Sequence, residues 1–119
     1  MKNYKDIVAM QKELCEKYHV EWVESSPMMK IGIAKNTLTA GMPINGLRHP
    51  IEKDMSGWYL WASEGFPKDQ DAFDSMHIEH LDSYLSQVLK YLGFPPGWRF
   101  LIDSKGYEDV WFDEKLLQI

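Results

Sequence analysis

The first apolar pattern in the chain has the period of a helix. Between residues 4 and 18, apolar side chains recur every three or four positions, and charged side chains fill the positions between them. Because an α-helix has about 3.6 residues per turn, this spacing collects the apolar side chains on one face. We therefore predict an amphipathic helix over residues 4–18, with a buried face made of Ile7, Met10, Leu14 and Tyr18.

A second helical pattern lies in the C-terminal half and has a longer apolar stripe. The stripe consists of Ile78, Leu81, Leu85, Val88 and Leu92. Asp74 or Ser75 suits the N-cap, Gly93 suits a left-handed C-cap, and the two prolines that follow prevent continuation. The sequence therefore predicts a helix over residues 76–92 whose stripe belongs to the core.

Runs of β-branched and aromatic residues predict the strands. They cover residues 19–24, 29–34, 57–63 and a C-terminal hairpin, 98–113, whose strands meet at "SKG". Residues 35–50 predict one helical turn followed by irregular chain, with Asn45-Gly46 as a turn, and residues 64–75 predict a polar loop. Since βαβ alternation is missing, we predict an α+β fold: an antiparallel or mixed sheet of about five strands with two main helices packed on it.

The stretch "GWYLWASEGF", residues 57–66, carries large aromatics on both faces of its predicted strand. Side chains alternate along a strand, so Trp58 and Leu60 point to one side while Tyr59 and Trp61 point to the other. A half-buried strand normally has one polar face. Two interpretations remain open: the chain covers both faces itself, or one aromatic face is exposed for a partner.

Composition limits the class of protein. The 119 residues, 45% hydrophobic and 26% charged, fit one globular domain, which we place at residues 1–119. The longest apolar runs are far shorter than the ~20 residues that cross a bilayer, and the N-terminus has no apolar segment typical of a signal peptide. Cys15 is the single cysteine, which suits a reducing compartment. We expect a cytoplasmic protein.

Charge is divided unevenly between the two halves of the chain. Residues 1–63 contain 8 Lys or Arg and 7 Asp or Glu, whereas residues 64–119 contain 5 and 11. Nucleic acids and anionic membranes require a basic surface. The acidic half therefore argues against both and favours a basic protein partner.

Motifs that carry chemistry are missing or incomplete. His77 and His80 are spaced i, i+3, but a catalytic zinc site needs three protein ligands. The acidic stretch from residue 69 has Asp74 and His80 where a calcium loop needs glycine and glutamate. Cys15 lies four positions before His19, within a predicted helix and without a nucleophile motif. We predict no metal, no cofactor and no catalytic residue.

One stretch resembles a known family. It contains "IGIAKNTLTAGMPINGLRHP" and "SGWYLWASE", followed by an acidic loop and an apolar helix, and it spans about residues 29–92. This stretch resembles a bacterial immunity-protein family of polymorphic toxin systems, immunity protein family thirty-three, formerly a domain of unknown function. Gly65 to Lys68 depart from the more acidic pattern of the family, and the hairpin 98–113 looks like a subgroup feature. The resemblance implies a small non-enzymatic protein that binds and neutralises a cognate toxin.

The residues and the resemblance lead to the same hypothesis, a protein-binding module with an acidic and aromatic surface. Acidic side chains accelerate association with a basic partner, and rigid aromatics supply the central contacts. The predicted partner-binding residues are Trp61, Glu64, Asp69, Asp71, Asp74, Glu108 and Asp109. The alternatives are a small ligand-binding or regulatory domain, favoured by an aromatic-lined pocket, and an enzyme.

Overall fold

A six-stranded mixed sheet forms the centre of the protein. The computed structural model describes residues 3–35, 37, 42–62, 67 and 73–118. The strands are β1 (Lys30–Ala34), β2 (Ile44–Arg48), β3 (Met55–Ala62), β4 (Phe73–His77), β5 (Trp98–Ile102) and β6 (Glu108–Phe112). Their order is β4-β1-β3-β2-β5-β6, with β1 and β3 parallel and the other neighbours antiparallel. The predicted α+β class is confirmed, with six strands in the described residues.

Helical structure in the described part of the chain comes in one long helix and several short pieces. The long helix, α1, covers Tyr4–Lys17, close to the predicted 4–18. The short pieces are α2 (Leu81–Tyr84) and 3₁₀ helices at Ile78–His80, Ser86–Tyr91 and Glu114–Leu117. The predicted helix 76–92 is therefore wrong as one continuous helix: it begins at Ile78 and is interrupted at Leu85, where φ is −140°. Residues 73–77 are strand because they pair with β1, and that pairing satisfies backbone groups of β1.

The main core lies between the helical elements and one face of the sheet. Every residue of the predicted stripe is buried, and Leu81 and Val88 are fully inaccessible. The stripe packs in one cluster with sheet residues that include Ile31, Trp58 and Phe100. The prediction that the stripe belongs to the core is confirmed, because 3₁₀ and α turns keep a similar apolar spacing.

Arg48, at the end of β2, is the largest charged residue in the interior, with an exposed fraction of 0%. Its guanidinium donates to four backbone carbonyls: Nε to Ser56 O at 2.9 Å, Nη1 to Val23 O at 3.0 Å and Phe94 O at 2.8 Å, and Nη2 to Glu24 O at 3.1 Å. Burial lowers the pKa of Arg48 to about 10, so the side chain stays charged at neutral pH.

Three sequence predictions fail where tertiary packing decides the conformation. Residues 19–24 are irregular rather than a strand, and Asn45-Gly46 lies inside β2 rather than in a turn. The Phe100 ring occupies the space that a Cβ at Gly46 would need. Gly93 does not have the positive φ of a left-handed cap; a Cβ there would lie 2.6 Å from Cδ1 of Trp22, so close packing requires the glycine.

The second face of the sheet carries a smaller core. Trp61 is only 3% exposed, and it shares this cluster with Ala34, Leu47 and Leu116. Leu116 comes from the C-terminal 3₁₀ helix, and its carbonyl oxygen lies 3.0 Å from Nδ1 of His49. The interpretation that Trp61 is exposed for a partner is therefore wrong, because the chain itself covers this part of the second face.

We expect Arg48→Lys to lower the free energy of unfolding by about 2–4 kcal/mol, because an ammonium group cannot reach four carbonyls and leaves buried acceptors unpaired. Urea denaturation monitored by tryptophan fluorescence measures this loss. The matched control is Arg99→Lys, since Arg99 is partly exposed and pairs with Asp113 across 3.2 Å. It should cost less than about 1 kcal/mol. Equal losses of unfolding free energy in the two variants would contradict the expectation that the four carbonyl contacts of Arg48 stabilise the fold more than an exposed ion pair does.

Replacing Trp61 by alanine should destabilise the fold by about 3–5 kcal/mol, because it leaves a large cavity in the second core. Trp111→Ala is the control: this ring is half-buried, and its loss should cost about 1–2 kcal/mol. Denaturant midpoints of the two variants and the wild type provide the comparison. A Trp61→Ala midpoint equal to that of wild type would mean that the ring is dispensable for folding.

Candidate protein-interaction surface

The structure separates the predicted partner-binding residues. Asp74 is exposed on β4, whereas Glu108 and Asp109 belong to β6, at the opposite edge of the sheet. Five strand spacings of ~4.8 Å put these edges roughly 24 Å apart. Glu64, Asp69 and Asp71 lie outside the described residues, so their part of the predicted surface stays a prediction. The described members therefore do not form one compact patch.

Glu108 is held by side chains of the protein itself. Its carboxylate accepts hydrogen bonds from Tyr18 Oη at 2.6 Å, Tyr91 Oη at 2.6 Å and Lys17 Nζ at 3.0 Å. Burial by itself would raise the pKa of Glu108, but the three donors and the charge of Lys17 outweigh it and lower the pKa to about 2. These contacts tie β6 to α1 and to the 3₁₀ helix at Ser86–Tyr91, so Glu108 has a structural role in connecting these elements.

Asp109, the next residue, points to the other face and is exposed. Trp111 lies two residues further along the same face, where its ring is half-buried beneath the Arg99 guanidinium at 5.3 Å. Phe112 lies on the opposite face of the strand and is 49% exposed. Tyr107 comes just before the strand and is 52% exposed. We call Tyr107, Asp109, Trp111 and Phe112 the hairpin edge.

The hairpin edge has the chemical character that the sequence predicted, but at a different place from Trp61. Exposed aromatic rings beside a carboxylate are typical of protein-interaction surfaces. Sequence reasoning found Asp109 and missed Tyr107 and Phe112. The signal was present, since both lie within the predicted hairpin 98–113, but an aromatic in a strand is buried more often than exposed.

Two concavities lie beside this edge. The larger one has a volume of about 520 Å³ and is lined by Met10, Glu13, Leu14, Lys17 and Lys90. The smaller one, about 180 Å³, shares Lys90 and also contacts Tyr107 and Glu108. Neither combines the size of a ligand pocket with an aromatic lining, which was the feature expected of a ligand-binding domain.

His77, His80 and Cys15 are the residues that the sequence offered for metal binding or catalysis. Within the described residues, no three His, Cys, Asp or Glu side chains are placed to hold a metal ion, and the rings of His77 and His80 are 6.1 Å apart. The Cys15 thiol is buried and donates to Gly93 O at 3.5 Å, and burial raises its pKa to about 11. A thiol with this pKa is almost entirely protonated at neutral pH and is a poor nucleophile.

Glu108→Gln should lower the free energy of unfolding by about 1–3 kcal/mol at pH 7, because the charged acceptor is lost. The pKa of Glu108 is lower in the folded state than in the unfolded state, so its contribution is complete above about pH 4.5 and disappears as the pH falls towards 2. Denaturation curves of wild type and variant should therefore converge over this interval. Asp109→Asn, an exposed neighbour, should stay close to wild-type stability at pH 7. A gap between Glu108→Gln and wild type that is constant down to pH 2 would contradict the assignment.

No helix among the described residues is long and apolar enough to cross a membrane. Comparison with known proteins found one family model that matches, that of the Imm33-like domain, over residues 10–113. Searches of curated proteins and of solved structures found no match. The matched region extends beyond the resemblance at 29–92 and includes most of α1 and the hairpin. Since the match covers most of the chain, the protein belongs to the Imm33-like domain family.

Proposed function

We propose that this protein is an immunity protein that binds a cognate bacterial toxin and neutralises it without catalysing a reaction. The observation that carries the proposal is the hairpin edge, where two exposed aromatic side chains and an exposed carboxylate, Tyr107, Phe112 and Asp109, occur within six residues along one edge of the sheet. Membership in the Imm33-like domain family supports a protein partner of the toxin type. We further propose that the protein acts in the cytoplasm, where a reduced Cys15 is expected.

The hairpin edge suits tight binding for two physical reasons. Strand β6 is held to the rest of the molecule through Glu108 and the β5 ladder, so little order has to be gained when a partner binds. The exposed rings of Tyr107 and Phe112 provide apolar area, while Asp109 adds to the net charge of −5 that attracts a basic partner. The acidic residues Glu64, Asp69, Asp71 and Asp74 remain candidates for a contribution to steering.

A small-ligand function ranks second. The groove of about 520 Å³ has sufficient volume, but its lining includes the flexible stems of Lys17 and Lys90, and Lys17 already pairs with Glu108. An enzymatic function ranks below it, because Cys15 is a buried thiol and no metal-binding group was found in the described residues.

The function is tested by co-expression with the product of the neighbouring gene, which the proposal expects to be the toxin. We expect wild-type protein to rescue growth and to co-purify with the toxin domain. Asp109→Lys should reduce the association rate about tenfold in biosensor measurements, because it replaces an attractive charge by a repulsive one. Glu52→Lys is the matched control: it makes the same charge change at an exposed position outside β6, and it should retain most of the rate. Growth arrest without rescue, together with absence of a complex, would contradict the proposed function.

A further inference from the structure

Strand β6 is an edge of the sheet, and one side of its backbone points away from β5. Antiparallel strands alternate hydrogen-bonded and non-hydrogen-bonded pairs. Asp113 N donates to Gly97 O at 2.7 Å, and Asp103 N donates to Tyr107 O at 3.3 Å, so these pairs are hydrogen-bonded. Together with the register of β5 and β6, these two hydrogen bonds show which backbone N–H and C=O groups point away from β5. They are the groups of Glu108, Val110 and Phe112.

These outward backbone groups lack several of the protections that proteins commonly use at a sheet edge. Natural edges are short, carry Lys or other charges, Pro or a β-bulge, or are covered by another segment. Strand β6 is short and has two charges, of which Glu108 is bonded within the protein and Asp109 is exposed. Residues 108–112 contain neither Lys nor Pro, and their register with β5 has no shift. Within the described part of the chain, no turn or loop hydrogen bond reaches the three outward groups. The edge is therefore a regular template of alternating donors and acceptors.

Side chains along β6 specify what kind of strand fits beside it. On one face, Asp109 is exposed and forms none of the ion pairs found among the described residues. Trp111 follows on this face and already has a cation, Arg99, on one side. The other face presents Val110 and the exposed ring of Phe112, and both are apolar. A neighbouring strand would therefore meet a negative charge and an aromatic ring on one face and apolar groups on the other.

We propose that β6 accepts a strand from the partner protein, so that the sheet continues into the partner by antiparallel or parallel backbone pairing. This inference rests on the proposed function and names the binding mode of the same site. The added strand would carry Lys or Arg opposite Asp109 and an apolar residue beside Val110 and Phe112, because opposite charges and apolar pairs stabilise cross-strand neighbours. The partner segment is thus a strand of alternating basic and apolar residues.

Charge argues for a different protein rather than for a second copy of this chain. Two copies would each carry a net charge of −5, which opposes self-association. The same negative charge attracts a basic partner strand and favours its association with this protein. Pairing of β6 with itself is therefore an outcome that the test must distinguish.

Amide hydrogen exchange, measured by NMR on the free protein and on the co-purified toxin complex, tests the inference. We expect the amides of Glu108, Val110 and Phe112 to exchange on the order of 100-fold more slowly in the complex. The control amides lie on β4, at the opposite edge of the sheet. Ile78 N donates to Met29 O at 2.9 Å, and with the β1–β4 register this means that the N–H groups of Phe73, Ser75 and His77 point away from β1. These should change little.

Each result of this measurement decides a separate question. A stable complex without protection at β6, or with protection at β4 instead, overturns strand addition and leaves the proposed function standing. Absence of any complex overturns both. Protection at β6 in the free protein, together with a mass of two chains in solution, overturns the proposal in favour of self-pairing.

A backbone substitution supplies an independent test. Val110→Pro removes an outward amide without removing a bond to β5, and proline is tolerated at such edge positions. Val110→Ala is the matched control, because it shortens the side chain and keeps the amide. We expect the dissociation constant for the toxin domain to rise about tenfold in Val110→Pro relative to Val110→Ala, the effect of one lost hydrogen bond. Equal affinities in two folded variants would overturn the proposal, and if Val110→Pro does not fold, the exchange measurement decides.

Discussion

The buried guanidinium of Arg48 joins irregular parts of the chain to the start of a central strand. Its four carbonyl acceptors come from the irregular segment after α1, from the start of β3 and from the turn after the helical segment. A planar group with five donors in fixed directions is suited to this, because one side chain can satisfy several backbone acceptors at once. Removing it would leave those carbonyls buried without partners, which is costly.

In the core next to Arg48, other polar side chains also form hydrogen bonds with irregular segments of the chain. Trp58, fully buried on β3, donates from Nε1 to Ser25 Oγ and Leu92 O, both at 3.1 Å. Gln11 on α1 donates to Leu89 O at 2.8 Å and accepts from Trp22 Nε1 at 3.0 Å. The chain thus covers the first face of the sheet with irregular segments as well as helices, and hydrogen bonds hold those segments in place.

Coverage of both faces has a consequence for recognition. The main core occupies one face, and the cluster around Trp61 and Leu116 occupies part of the other. Aromatic rings that the sequence seemed to offer for binding are in this way used for folding. The hairpin edge retains exposed rings and outward-pointing backbone groups, because β6 is the last strand of the sheet formed by the described residues. Internal pairing of Glu108 keeps this edge in position without presenting its charge.

Periodicity in the sequence predicted the extent of α1, the buried stripe from Ile78 to Leu92 and the C-terminal hairpin. The predicted buried face of α1 was wrong at Met10, which is 46% exposed, because the residues that α1 buries against the fold are Ile7, Gln11 and Cys15. Composition and charge were sufficient to predict an acidic globular protein, and the resemblance identified the family that the family model confirms. The strand at Ile44–Arg48 was missed, because Asn45-Gly46 is a turn signal that only the Phe100 ring overrides. Equally, the strand at 73–77 depends on its pairing with β1, which has no local signature.

The candidate surface could be predicted only in its chemistry. The sequence shows that aromatic and acidic residues lie close together in the C-terminal half, but the alternation of side chains along a strand does not say which face a neighbouring segment will cover. Tertiary structure decided that Trp61 is interior, that Glu108 is bonded to α1, and that Asp74 and Asp109 lie at opposite edges. Strand order is the physical reason: it depends on contacts between residues far apart in the chain, and it determines which strand is left with an unpaired side.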